Sequence, residues 1–183
     1  MSVTPDLDAR FRAAALGEGI VDVRYDVFES PVGELHLAQT DRGLCRISYV
    51  GDDWEDVLAR QFGVRVLRSP LDEVRRELDE YFEGERKAFD LPIDLRVAPF
   101  HADVLRELAR VPYGQTDTYG SLARKAGRPG AARAVGTVMN RNPIPIVLPC
   151  HRIVGASGAL VGYAGGLEVK QRLLQLEGAM LKA

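Results

Sequence analysis

A chain of 183 residues with a formal net charge of −2 has room for one or two small domains. Hydrophobic residues make up 46% and charged residues 27%, which excludes a disordered or fibrous protein. No apolar run is long enough to span a bilayer, and the first residues carry charges where a secretion signal needs an apolar core. Cys45 and Cys150 are far apart and form no disulfide pattern, so a cytoplasmic location is expected. His36, His101 and His151 show no metal-ligand spacing with the cysteines, and no metal or cofactor is expected.

In chain order, residues 1–20 read as an N-terminal extension. Val21, Val23, Tyr25 and Val27 alternate with polar residues, the period of a half-buried strand. A turn at Pro31-Val32-Gly33 leads to a second strand carrying Leu35 and Leu37. A third starts at Gly43, with Cys45, Ile47 and Tyr49 expected on one face and no chemical role given to Cys45. Trp54, Val57, Leu58 and Phe62 form a helical stripe, and Val64–Arg68 is a further strand. Ser69-Pro70 is expected to open a helix, with Ser69 as its cap. Leu71, Val74, Leu78, Tyr81 and Phe82 form its buried face, and Gly84 ends it. Residues 21–97 therefore predict a small α/β domain, a sheet with helices, without visible catalytic chemistry.

Residues 98–183 predict a second, mainly α domain. Phe100, Val104, Leu105 and Leu108 mark a helix. Another runs from Thr118 to Lys125, and a third, Ala131 to Met139, follows the turn Gly127-Arg128-Pro129-Gly130. Helix, tight glycine turn, helix is the helix-turn-helix pattern. The second of these helices has a surface of small residues, Ala131, Ala132, Ala134 and Gly136, which suits either close packing on another helix or close approach to a ligand. Between Thr118 and Leu167 there is no acidic residue, yet Arg124, Lys125, Arg128, Arg133, Arg141 and Arg152 all lie there. One basic face on a mildly acidic chain fits a phosphate binder.

The stretch Leu148-Pro149-Cys150-His151-Arg152-Ile153-Val154 follows an apolar run broken by Pro143 and Pro145, so Cys150 sits in stiff, non-regular chain. A cysteine in such a run is commonly a small core residue. As a nucleophile it needs its thiol activated, since a free cysteine has a pKa of about 8.5. His151 is the nearest base, but neighbours in extended chain point to opposite sides. A relay through water, with a carboxylate orienting the imidazole, fits better than direct contact.

LPCHRIV resembles the active-site signature of the O6-alkylguanine-DNA alkyltransferases, also called methylated-DNA–protein-cysteine methyltransferases. The likeness extends upstream through VPYGQTDTYGSLARKAGRPGAARAVGTVMNRNPIPIV and downstream through GASGALVGYAGGLEVKQRLLQLEG, covering Phe100 to Gly178. It implies a winged-helix-like C-terminal domain that binds double-stranded DNA carrying alkylated bases. The alkyl group of O6-alkylguanine, and possibly that of O4-alkylthymine, is transferred to Cys150. The target base is flipped out through the minor groove. The thioether product has no leaving group, so each molecule acts once. A monomer is expected, with cooperative assembly on DNA left open.

The resemblance also distributes roles. Cys150 attacks, His151 takes the thiol proton through water, and Glu177 orients the imidazole; the thiol pKa is then expected below that of free cysteine. Tyr119 crowds the phosphate and protonates the leaving guanine. Asn142 braces the turn before the cysteine. Arg133 is the finger that fills the vacated stack, or else a phosphate contact. Ala131, Ala132, Ala134, Gly136 and Arg128 belong to the DNA-facing surface. Tyr163 packs on the flipped base, which main-chain groups of Cys150, Ile153 and Ala164 recognise. Arg152 is expected to bond loop carbonyls. Ala164 stands where relatives often have serine, and Leu105 where they commonly have tryptophan.

Two other readings compete. An alkyltransferase-like binder lacks the nucleophile, which Pro149-Cys150-His151 argues against. A cysteine hydrolase needs a histidine facing the thiol and an oxyanion hole, which an adjacent Cys-His pair does not supply.

Overall fold

The computed structural model describes residues 10, 13–15, 17–50, 54–63 and 65–179. The expected extension over residues 1–20 lies mostly outside them.

Strands β1 (Val23–Ser30), β2 (Gly33–Thr40) and β3 (Gly43–Tyr49) form an antiparallel meander. Helix α1 (Trp54–Gln61) then leads to β4 (Val66–Arg68), which returns parallel to β1. The sheet order is β3-β2-β1-β4. Helix α2 (Asp72–Phe82) completes this part. Both faces of the sheet are covered. Leu58 of α1 packs with Val23, Ala38 and Cys45 on one side. On the other, Phe28, Leu35, Leu37, Leu44 and Ile47 meet Val74, Leu78 and Tyr81 of α2 in a much larger core.

Three details differ from the sequence reading. In β1 the buried residues are Val23, Asp26 and Phe28, while Tyr25 and Val27 are half-buried, because a sheet covered on both faces need not alternate. Cys45 does not share a face with Ile47 and Tyr49. The ladder shifts where Gln39 pairs with Leu44 and Ala38 with Arg46, leaving Cys45 as the extra residue of a bulge. Leu44 therefore joins the large core and Cys45 the small one. Finally, α2 begins at Asp72 and Ser69 does not cap it. The Ser69 N–H continues the sheet to the Tyr25 carbonyl (2.9 Å). The buried Asp26 carboxylate holds the helix start instead, accepting from Leu71 N–H (3.1 Å) and the Arg75 guanidinium (2.9 Å).

The second part comprises α3 (Pro99–Leu108), β5 (Asp117–Thr118), α4 (Tyr119–Lys125), α5 (Ala132–Asn140), a 3₁₀ turn (Cys150–Arg152), β6 (Ile153–Val154) and α6 (Leu167–Leu176). Thr118 caps α4 by accepting from Ser121 N–H (3.2 Å). Gly127 and Gly130 supply the positive φ angles of the turn between α4 and α5. β5 pairs in parallel with β6, so Tyr119, which follows β5, and the Cys150 turn, which precedes β6, leave a short ladder at opposite ends. The large core runs without a break from the sheet into Leu105, Leu108, Leu122, Val135, Ile144 and Ile146. Among the described residues no helix is long and apolar enough to cross a membrane.

Candidate active site

Cys150 opens the 3₁₀ turn and is almost fully buried. The chain reaches it through Ile146, a buried β-branched residue at φ 75°, a conformation that costs on the order of 1–3 kcal/mol. Asn142 compensates. Its amide donates to the Leu148 carbonyl (2.7 Å) and its oxygen accepts from Ile144 N–H (3.2 Å), pinning the bend. The turn also corrects the expectation of extended chain, because 3₁₀ side chains fan out at about three per turn.

His151 is fully buried, and its Nε2 lies 2.8 Å from Glu177 Oε1. Burial would raise the Glu177 pKa. Hydrogen bonds from His151 and Arg152 outweigh it and hold the carboxyl down at about 2. An ionised carboxylate only accepts, so Nε2 carries the proton and Nδ1 has the free lone pair. Nδ1 is buried and has no hydrogen-bond partner among the described residues. Burial, with the Arg152 and Lys170 charges, lowers the His151 pKa against the pull of Glu177, so the imidazole is neutral and able to act as a base.

Burial pushes the Cys150 thiol up to about 11, against the pull of Asn142, the Lys170 charge and backbone N–H groups. This reverses the expectation of a resting thiol more acidic than free cysteine. The thiol keeps its proton until a base removes it.

Glu177 is the junction of the site. Arg152 grips it at 2.9 Å through both Nε and Nη2, Tyr81 Oη donates at 2.8 Å and Gly114 N–H at 3.2 Å. Arg152 also donates to the Val111 carbonyl (2.6 Å), so it bonds the loop as expected and the Glu177 carboxylate as well.

Tyr119 and Tyr163 both lie near the thiol, and burial raises their pKa values. They remain protonated. Tyr119 Oη donates to the Val161 carbonyl (3.1 Å) and Tyr163 pairs with Tyr49 Oη at 2.8 Å. Ile153 donates its N–H to the Cys150 carbonyl, and its own carbonyl accepts from Lys170 (2.6 Å). Ala164 is exposed on the loop.

Beside Tyr119 a cavity of about 430 Å³ runs along α5, lined by Ala132, Arg133, Gly136, Thr137 and Asn140 together with Val161 of the loop. Arg133 is exposed there. Ala131 is half-buried at the helix cap, while Ala134 and Arg128 are exposed but do not line the cavity.

Three participants were missed in the sequence. Lys170 is fully buried and ties the loop down through the carbonyls of Ile153 (2.6 Å) and Val161 (2.8 Å); burial lowers its pKa to about 8. The signal was present. Residues 170, 173, 174 and 177 follow helical spacing, so Lys170 and Glu177 share a face with Leu173 and Leu174. Tyr81 and Tyr49 come from the N-terminal part. A tyrosine on the inner face of a helix or strand needs a partner for its hydroxyl, but sequence does not say which.

Comparison with known proteins agrees with this geometry. Residues 99–179 match the family model of the 6-O-methylguanine DNA methyltransferase DNA binding domain, and residues 23–95 that of its ribonuclease-like domain. A methylated-DNA–protein-cysteine methyltransferase of Methanosarcina acetivorans is 42% identical over 163 residues, covering 85% of this chain and 98% of that protein. The constitutive methyltransferase of Bacillus subtilis is 40% identical over 155 residues, 84% of this chain and 94% of that protein. The crystal structure of Mycobacterium tuberculosis OGT in complex with DNA superimposes with a TM-score of 0.77 at 38% identity, covering 85% of this chain and 92% of that one. The buried cysteine turn, its carboxylate-bound histidine and the helix-turn-helix beside them thus sit in a chain that belongs to the methylated-DNA–protein-cysteine methyltransferase family.

Proposed function

We propose that this protein repairs O6-alkylguanine in double-stranded DNA by moving the alkyl group onto Cys150. The observation that carries the reading is the His151–Glu177 pair behind the cysteine turn, a neutral base held in one tautomer by an ionised carboxylate. The flipped base enters between Tyr119, Tyr163 and the loop, while Arg133 fills the space it leaves. Cys150 Sγ forms a bond to the alkyl carbon as the carbon–O6 bond breaks. The thiol proton passes through water to His151 Nδ1, and Tyr119 donates its proton to the departing guanine. Return of the His151 proton to Tyr119 completes the balance, so the net proton transfer is from thiol to guanine. Positioned proton transfer of this kind is worth about 10²–10⁴-fold in rate. Nothing regenerates the thiol from the thioether, and the protein acts once. O4-alkylthymine presents a similar carbon and is a second substrate to try. A cytoplasmic location fits this reading.

Incubation with a duplex labelled in the methyl group of O6-methylguanine tests it. The label should move to protein and stop at one equivalent. Binding without transfer would point to a lesion binder, and neither binding nor transfer would remove DNA repair altogether.

A further inference from the structure

A second concavity, of about 260 Å³, lies apart from the cavity along α5, and Arg46, Arg96, His101 and Arg141 line it. Among the described residues no carboxylate lines it. Arg46 belongs to β3, an edge strand of the N-terminal sheet. Its neighbour Ile47 donates an N–H to the Pro143 carbonyl (2.9 Å), which draws β3 against the residues that leave α5. Arg96 is fixed by the Gln61 carbonyl (2.8 Å), the face of Phe62 (4.5 Å) and Asp94 (3.3 Å), which offsets part of its charge. Arg141 is different. It is exposed, and its guanidinium has no ion pair or hydrogen bond among the described residues. Surface arginines elsewhere, such as Arg65, Arg106 and Arg110, each face a carboxylate.

The position matters as much as the charge. Arg141 directly follows Asn140, which lines the cavity along α5. The basic concavity therefore begins where the groove-facing helix ends. A duplex carries about one charge per 1.7 Å of axis, so DNA gripped along α5 presents further phosphates beyond the helix. Guanidinium forks match phosphate oxygens, and such contacts set register without reading sequence.

We propose that this concavity, built by Arg46 and Arg96 of the N-terminal part with His101 and Arg141 of the C-terminal part, is a subsite for a backbone phosphate of the DNA flanking the lesion. It rests on the DNA-repair reading and extends it, making the N-terminal part a contributor to DNA binding.

The test is the salt dependence of affinity for a duplex extending a full turn to either side of an O6-methylguanine, measured for wild type, Arg141→Gln, Arg141→Lys and Arg46→Gln. Loss of one phosphate contact should flatten the slope of log K against log[salt] by about 0.9 and weaken binding by about threefold. Arg141→Lys keeps the charge and should keep the slope. Wild-type slope and affinity in Arg141→Gln, or an equal loss in Arg141→Lys and Arg141→Gln, would overturn the subsite. If Arg46→Gln melts at lower temperature, Arg141→Gln decides alone, since that side chain has no ion pair or hydrogen bond to lose among the described residues. Wild-type protein that binds but accepts no methyl group would overturn the repair reading, and the slopes would still decide the subsite.

Discussion

Glu177 accepts hydrogen bonds from His151, Arg152, Tyr81 and the Gly114 N–H, and its ionisation is linked to stability. Its folded pKa of about 2 lies below the ordinary 4.5. The stability this provides is complete above about pH 4.5 and is lost as pH falls toward 2. His151, buried neutral with a lowered pKa, adds a second loss below its ordinary 6.5, where only the unfolded chain takes up the proton. Glu177→Gln leaves Arg152 buried without its counter-charge and should destabilise the protein by about 3 kcal/mol. The variant, checked for folding by Trp54 fluorescence, should transfer alkyl groups more slowly at neutral pH, because the imidazolium loses its partner. The deficit should shrink only as pH rises toward the thiol's own pKa of about 11, where it ionises unaided. Single-turnover rates from pH 6 to 9 that match wild type would remove Glu177 from the mechanism. At this scale Cys150, His151 and Asn142 were legible as a motif, but the thiol's raised pKa was not. Its cause is burial, and burial is set by chain distant in sequence.

At the scale of elements, the helix-turn-helix was legible from its glycines and small residues, since both are local requirements. The β3 bulge and the start of α2 were not, because a cross-strand register and a carboxylate from another strand decide them. Gly43 shows the same dependence. At φ 139° it brings β3 beside residues 92–94, and a Cβ there would lie 2.3 Å from the Pro92 carbonyl oxygen. Gly43→Ala should therefore destabilise by roughly 1–3 kcal/mol, read as a lowered denaturation midpoint with unchanged cooperativity; an unaltered midpoint would mean that the connection yields freely. For α5, Arg133→Ala should slow repair of duplex DNA by at least an order of magnitude more than reaction with free O6-benzylguanine, which needs no flipping. Equal losses on both substrates would place Arg133 in the fold or the base pocket instead.

In the whole molecule, the two parts recognised in the sequence share one core and one site. Tyr81 on α2 reaches Glu177, and Tyr49 on β3 holds Tyr163. Tyr49 packs so closely on Gly165 that a Cβ there would meet its ring at 2.8 Å. The N-terminal part showed no chemistry when read alone because its contribution is to position groups on the other part, a long-range property without a local motif. Cys45 gives the whole account an internal control. Its thiol donates to the Ala38 carbonyl (3.3 Å), and burial pushes its pKa to about 12, so it is a core residue whose thiol keeps its proton. Peptide mapping by mass spectrometry after reaction with methylated duplex tests the central claim most directly. One methyl group per molecule should be found on Cys150, none on Cys45, and none at all on Cys150→Ala, which should still bind the duplex. A methyl group on Cys45, or transfer that persists in Cys150→Ala, would contradict the account.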